Sequence, residues 1–189
     1  MPRFSWAAWG LLVVVLDLPL RGWDVLPDLV GYAWLFIGLA GGPALHPGFA
    51  RARAAALVGI PVSLITGTPM LVNQQGIAWG GLFTEVLLTV VILHQLASAI
   101  RDLDPVEGDS DHRRWANGIR LAAPVAGALE LVGLVLWRTA FAPVYGMGYL
   151  AMVVVGIITV VLLHRVNRAG WLATAAPATP AGPAEPVIP

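Results

Sequence analysis

The sequence predicts an all-α fold, a polytopic transmembrane bundle of about six spans with both termini inside. Three observations carry this. Hydrophobic residues make up 58% of the 189, charged residues 12%, and mean hydropathy is +0.77. A soluble domain carries about 25% charge, so this chain has too little polar surface to cover a water-facing globule. Second, apolar runs recur near the ~20 residues that cross a hydrocarbon core of about 30 Å. Third, basic residues gather in alternate loops. Arg3, Arg51, Arg53, Arg101, Arg113, Arg114, Arg120, Arg165 and Arg168 fall at one set of ends, and Arg21 and Arg138 at the other. Excess basic charge marks the cytoplasmic side. An even number of spans needs both termini on one side, so the readings agree.

The spans are placed at roughly 4–20, 29–45, 54–72, 77–100, 118–137 and 145–164. The first follows Arg3 as a signal peptide would. No small-residue cleavage site follows it and five apolar segments do, so it is read as a span. Span two carries Gly31, Gly38 and Gly42, and Gly38 with Gly42 makes a GxxxG pair that permits close helix packing. Span three places Gly59, Ser63, Thr66 and Met70 near Pro61. A proline kinks a helix, so this span reads either as a gate or as one of the many prolines that membrane helices tolerate. Span five has a packing face of Ala123, Gly127, Glu130, Gly133 and Trp137, and span six a stripe of Gly148, Met152, Gly156 and Thr159. Trp6, Trp9, Trp115 and Trp171 mark inner ends, and Trp23, Trp79 and Trp137 outer ones, as interfacial rings prefer. The Gly31-Tyr32 and Gly148-Tyr149 pairs open spans two and six, but their flanks do not keep register as a repeat.

Residues 1–170 thus form the membrane domain, with a polar cytoplasmic loop at 101–117. In that loop Asp104-Pro105-Val106-Glu107 reads as a helix start, with Asp104 as N-cap. The acids Asp102, Asp104, Glu107, Asp109 and Asp111 lack the spacing of an EF-hand, so no metal is expected. Residues 171–189 read as a disordered Ala/Pro-rich cytoplasmic tail. Its prolines 177, 180, 183, 186 and 189 recur every third residue, which suits polyproline II.

Acids within apolar spans are the informative residues. A charge at a helix centre costs about 2.5–3.5 kcal/mol, so an ionisable group there faces the bundle or a cavity. Glu85 lies six residues below Trp79 and Glu130 seven below Trp137, depths of about 9 and 10 Å at 1.5 Å per residue. Both therefore sit in the outer half, where Asp17, Arg21, Asp24, Asp28 and Arg138 also gather. Asp17 and Arg21 are spaced as an i,i+4 pair, Arg138 can reach toward Glu130, and Asp28 reads as the cap of span two. The cluster is either a set of ion-pair locks or an acidic vestibule that attracts cations.

The stretch Gly22-Trp23-Asp24-Val25-Leu26-Pro27-Asp28-Leu29-Val30-Gly31-Tyr32 is the most motif-like. It resembles a segment of small bacterial multi-pass membrane proteins in which an LPD turn precedes a GY-initiated helix. The resemblance covers about 25 residues, as far as Gly38-Leu39. It implies a helical membrane protein and no activity.

Function classes narrow by exclusion. Net charge is zero and gives no footprint for nucleic acid. Cysteine is absent, which removes disulfides, thiolate zinc sites, iron–sulfur clusters and c-type haem. All eleven basic residues are arginine, consistent with GC-rich bacterial coding. His94 and His164 differ in depth, against a shared haem. Neither an HExxH signature nor a G-x-S-x-G elbow occurs, so the chain leans away from an enzyme. No cofactor is expected. The reading that remains is an inner-membrane protein for cation- or proton-linked solute transport or permeation. Glu85, Glu130, Asp17, Arg21, Arg138, Asp24 and Asp28 are its binding candidates. The competing reading is a non-catalytic scaffold or accessory subunit that packs through glycine-rich helix faces and the Pro-rich tail, with a protein partner or its own copy; Gly31, Gly38, Gly42, Gly127 and Gly156 are its helix-packing residues.

Overall fold

The structure, a computed structural model, describes residues 4–16, 25–66, 75–105, 110–136 and 143–170. Every regular element among them is helical. In chain order these are α1 (Phe4–Leu16), α2 (Val25–Gly38), a 3-10 turn (Gly42–Ala44), α3 (Pro47–Thr66), α4 (Gln75–Leu103), α5 (Asp111–Val135) and α6 (Pro143–Ala169). Four stretches, Pro47–Thr66, Trp79–Leu103, Asp111–Val135 and Pro143–Ala169, are long and apolar enough to cross a membrane, and two shorter apolar helices accompany them. The fold is therefore a helical bundle of membrane type.

Each helix packs on its neighbour in sequence, and α6 returns to pack on α1. The bundle is thus a closed ring of helices running alternately up and down. Its interior holds Phe4, Leu11, Tyr32, Leu35, Phe49, Leu93, Leu96 and Leu162, all fully buried. Outward faces carry large apolar side chains at helical spacing. Leu121, Val125 and Val132 are exposed on α5, and Met147, Leu150, Val154 and Val161 on α6. Soluble monomers rarely expose apolar patches of that extent; lipid is the solvent these faces fit.

Small residues set how closely the ring closes. A Cβ on Gly31 would meet Val14 of α1 at 2.7 Å, and one on Gly38 would run into the Ala7 backbone. Gly127 faces Val90 of α4, and Gly156 faces Val15 of α1. The expected GxxxG pair does not act as a single face. α2 ends at Gly38, and Gly42 opens the 3-10 turn against Phe49, where an added Cβ would meet the Phe49 Cβ at 2.7 Å. These glycines pack against the chain's own helices, as a helix-packing role expects.

Element ends also differ from the sequence expectation. α3 starts at Pro47, α4 runs to Leu103 and α5 starts at Asp111, so the polar loop expected at 101–117 is largely helical among its described residues. The N-cap of α5 is Ser110, whose hydroxyl accepts from the Arg113 amide at 3.1 Å; the turn expected after Asp104 falls on residues 106–109, outside the described residues. Asp104 also accepts from the Ser110 hydroxyl. A short hydroxyl one residue before the helix satisfies the orphan amide, while Asp104 lies just beyond the end of α4. The tail at 171–189 lies outside the described residues.

Candidate functional site

Alternating helix directions sort the charges. Arg51 and Arg53 begin α3, Arg101 ends α4, Arg113, Arg114 and Arg120 begin α5, and Arg165 and Arg168 end α6. All described arginines therefore share one end of the ring. Local partners hold several of them there. Arg53 Nε donates to the Phe36 carbonyl at 3.2 Å, Arg101 pairs with Asp102 at 2.5 Å, and Arg165 stacks over Trp115 at 4.8 Å.

The opposite end holds a cavity of about 70 Å³, walled by five of the six helices. Its polar lining is Asp28 and Tyr32 of α2, Glu85 and Thr89 of α4, Glu130 of α5, and Tyr145 and Tyr149 of α6. Val14 and Val15 of α1, with Leu82, Val86, Leu134 and Met152, supply the apolar wall. The spacings explain why each helix contributes a stripe. Residues 28 and 32, 130 and 134, and 145 and 149 are four apart, and 82, 85, 86 and 89 follow the i, i+3, i+4, i+7 rule of one helix face.

Glu130 is 7% exposed, and Gly148 places α6 directly against its backbone. Gly133, one turn along, meets the Tyr145 backbone in the same way. The α5–α6 seam is thus closed glycine to backbone at Glu130 and one turn beyond it. Glu85 is half-buried, and its Oε1 lies 2.5 Å from Thr66 Oγ1 of α3. Thr66 Oγ1 also lies 3.1 Å from the Val62 carbonyl. A hydroxyl has one hydrogen and two lone pairs. It can donate to an ionised Glu85, or accept from a protonated one while donating to Val62. The pairing therefore survives either protonation state. Tyr149 Oη donates to the Leu16 carbonyl at 3.1 Å, tying α6 to α1 at the cavity rim. Asp28, Tyr32, Glu85, Glu130, Tyr145 and Tyr149 all have further partners.

The cluster expected from sequence is thus partly assembled. Glu85, Glu130 and Asp28 line one cavity. Asp17, Arg21, Asp24 and Arg138 lie outside the described residues. Asp28 does not cap α2, because the helix already includes Val25 and holds Asp28 in its first turn. Its four-residue phase with Tyr32 turns it to the cavity instead. Among the described residues no three acid or histidine side chains come together as a metal site, so the carboxylates surround a space rather than a point. His94 and His164 are separately engaged, His94 Nδ1 with the Arg120 carbonyl at 3.2 Å and His164 edge-on to Trp9 at 6.1 Å.

The tyrosines are what sequence reasoning missed. All three in the chain line this cavity. The signal was present in Gly31-Tyr32 and Gly148-Tyr149. In each pair the glycine packs on a neighbouring helix and the tyrosine turns into the cavity. No protein-family model, no curated protein and no solved structure matches the chain, so the site is read from its own geometry.

Proposed function

We propose that this is a six-span bacterial inner-membrane protein with both termini in the cytoplasm, which moves protons or a small monovalent cation through its acidic, outward-facing cavity. The observation that carries the reading is one of segregation. Three carboxylates and all three tyrosines share a cavity at one end of the ring, and every described arginine sits at the other. With the arginine end inside, the acidic cavity opens outward. Solvated carboxylates in a low-dielectric wall attract cations and disfavour anions.

Size supports a small cargo. A cavity of about 70 Å³ has room for on the order of five waters, and drug-sized ligands need several hundred Å³. The Thr66–Glu85 contact accommodates both the charged and neutral acid, as a proton-exchanging group requires. Water held among Glu85, Glu130, Thr89 and the tyrosine hydroxyls would link them. The same cavity suits a solute coupled to that proton only if the solute is small.

The test is reconstitution into liposomes with an internal pH dye and an imposed potential. Wild type carries a proton or monovalent-cation flux, and Glu85→Gln and Glu130→Gln each lower it at least tenfold while the protein still elutes as a folded species. No wild-type flux for protons, sodium, potassium or ammonium refutes the reading. Equal flux in both variants does so too.

A further inference from the structure

We infer a second site, at the opposite end of the molecule from the cavity, that binds the headgroup of an anionic phospholipid. The first and last helices meet along a groove of about 290 Å³ lined by Trp9, Leu12, Val160, Val161, His164, Arg165 and Arg168. α1 and α6 run in opposite directions, so the groove is graded. Leu12 faces Val160 and Val161 toward the middle of the bundle, while Trp9, His164, Arg165 and Arg168 lie toward the arginine end. From Val160 to Arg168 the chain advances about 12 Å at 1.5 Å per residue. A groove that passes over that length from apolar to cationic side chains has the polarity profile of a phospholipid, with its upper acyl chain along the valines and its phosphate among the arginines.

Three features favour occupation from outside the protein. The groove has no acidic lining residue. Neither Arg165 nor Arg168 forms an ion pair among the described residues; Arg165 only stacks on Trp115. His164 Nδ1 is shielded from solvent and makes no hydrogen bond among the described residues, so the imidazole is held by its contact with Trp9 rather than by a polar partner. Trp9 is 54% exposed and stands where an interfacial indole borders headgroups. Arg51 and Arg53 at this end are committed elsewhere, Arg51 near Gln95 at 3.5 Å and Arg53 to the Phe36 carbonyl and ring. Basic pockets between helices on the cytoplasmic side are where anionic headgroups bind.

The site does not depend on transport, and its test does not measure flux. The full chain is placed in nanodiscs of phosphatidylcholine, and binding of a short-chain phosphatidylglycerol is followed by native mass spectrometry and by thermal stability. The wild type binds phosphatidylglycerol in preference to phosphatidylcholine. Arg165→Gln/Arg168→Gln weakens that binding about 30-fold, the weight of two arginine–headgroup contacts. Arg165→Lys/Arg168→Lys, which keeps the charge, retains most of it and controls for folding. Arg51→Gln at the same end leaves it within about twofold, since one screened surface charge counts for little at physiological salt. Equal loss on Arg51→Gln means a diffuse surface charge and overturns the site. Full displacement by millimolar inorganic phosphate overturns the lipid assignment, and undiminished binding in the Gln pair overturns both.

Discussion

Replacing Gly148 by alanine tests whether the α5–α6 seam positions the cavity. The added Cβ would lie against the backbone amide nitrogen of Glu130 and 2.5 Å from its Cα. Backbone cannot rotate away as a side chain can, so α5 and α6 must separate locally. Inserting a methyl group into a packed interior costs about 1–3 kcal/mol. Gly146, on the same helix and two residues away, provides the contrast. A Cβ there meets nothing within 4 Å, and glycine in a helix interior is about 0.5–1 kcal/mol less favourable than alanine. Gly146→Ala therefore stabilises the protein slightly, and Gly148→Ala destabilises it. The assay is thermal unfolding of both variants in one detergent, paired with the flux measurement. Gly148→Ala also lowers flux, because the backbone that moves is that of Glu130, while Gly146→Ala leaves flux unchanged. Same-sign stability changes at the two positions would refute the reasoning, as would full activity in a destabilised Gly148→Ala.

Thr66→Val keeps the shape of the side chain and removes the hydroxyl shared with Glu85. It costs about 1–3 kcal/mol in chemical denaturation and lowers flux; an unchanged profile means the contact is incidental. Tyr149→Phe removes the donor to the Leu16 carbonyl at the rim. A loss of about 1 kcal/mol with faster hydrogen exchange at the end of α1 is expected, and unchanged exchange refutes the tie. The absence of cysteine allows single-cysteine mapping. Pro143→Cys labels with an impermeant maleimide from outside intact cells, and Ala169→Cys only after lysis; the reverse pattern inverts the proposed orientation.

The relative height of Glu85 and Glu130 along the bundle was legible in the sequence because it needs only a helix rise. Counting from Trp79 and Trp137 put Glu85 and Glu130 at one level, and they line one cavity. Which glycines pack on neighbouring helices was legible for the same local reason, except that Gly38 and Gly42 do not share one face. Partners were not. Nothing in residues 4–16 says that they will meet the final helix, since the α1–α6 seam joins the two most distant segments of the membrane domain. Asp28 was misread because an acid after a proline matches a capping pattern, and only the start of α2 at or before Val25 tells otherwise. The tyrosines were passed over because the two Gly-Tyr pairs were weighed as a repeat. Their likeness is positional: each puts a backbone-close residue beside a phenol on the ring's inner face.

That seam also governs the order in which the molecule can be made. α1 is synthesised first, yet Val15 finds its neighbour Gly156 only when α6 has emerged. Until then one flank of α1 must rest against lipid or a chaperoning helix, and the cavity lacks the wall that carries Tyr145, Tyr149 and Met152. A nascent chain arrested before residue 143 therefore contains Glu85 and Glu130 with no enclosed space between them. Closure by the last helix makes completeness of translation a condition for having the cavity at all.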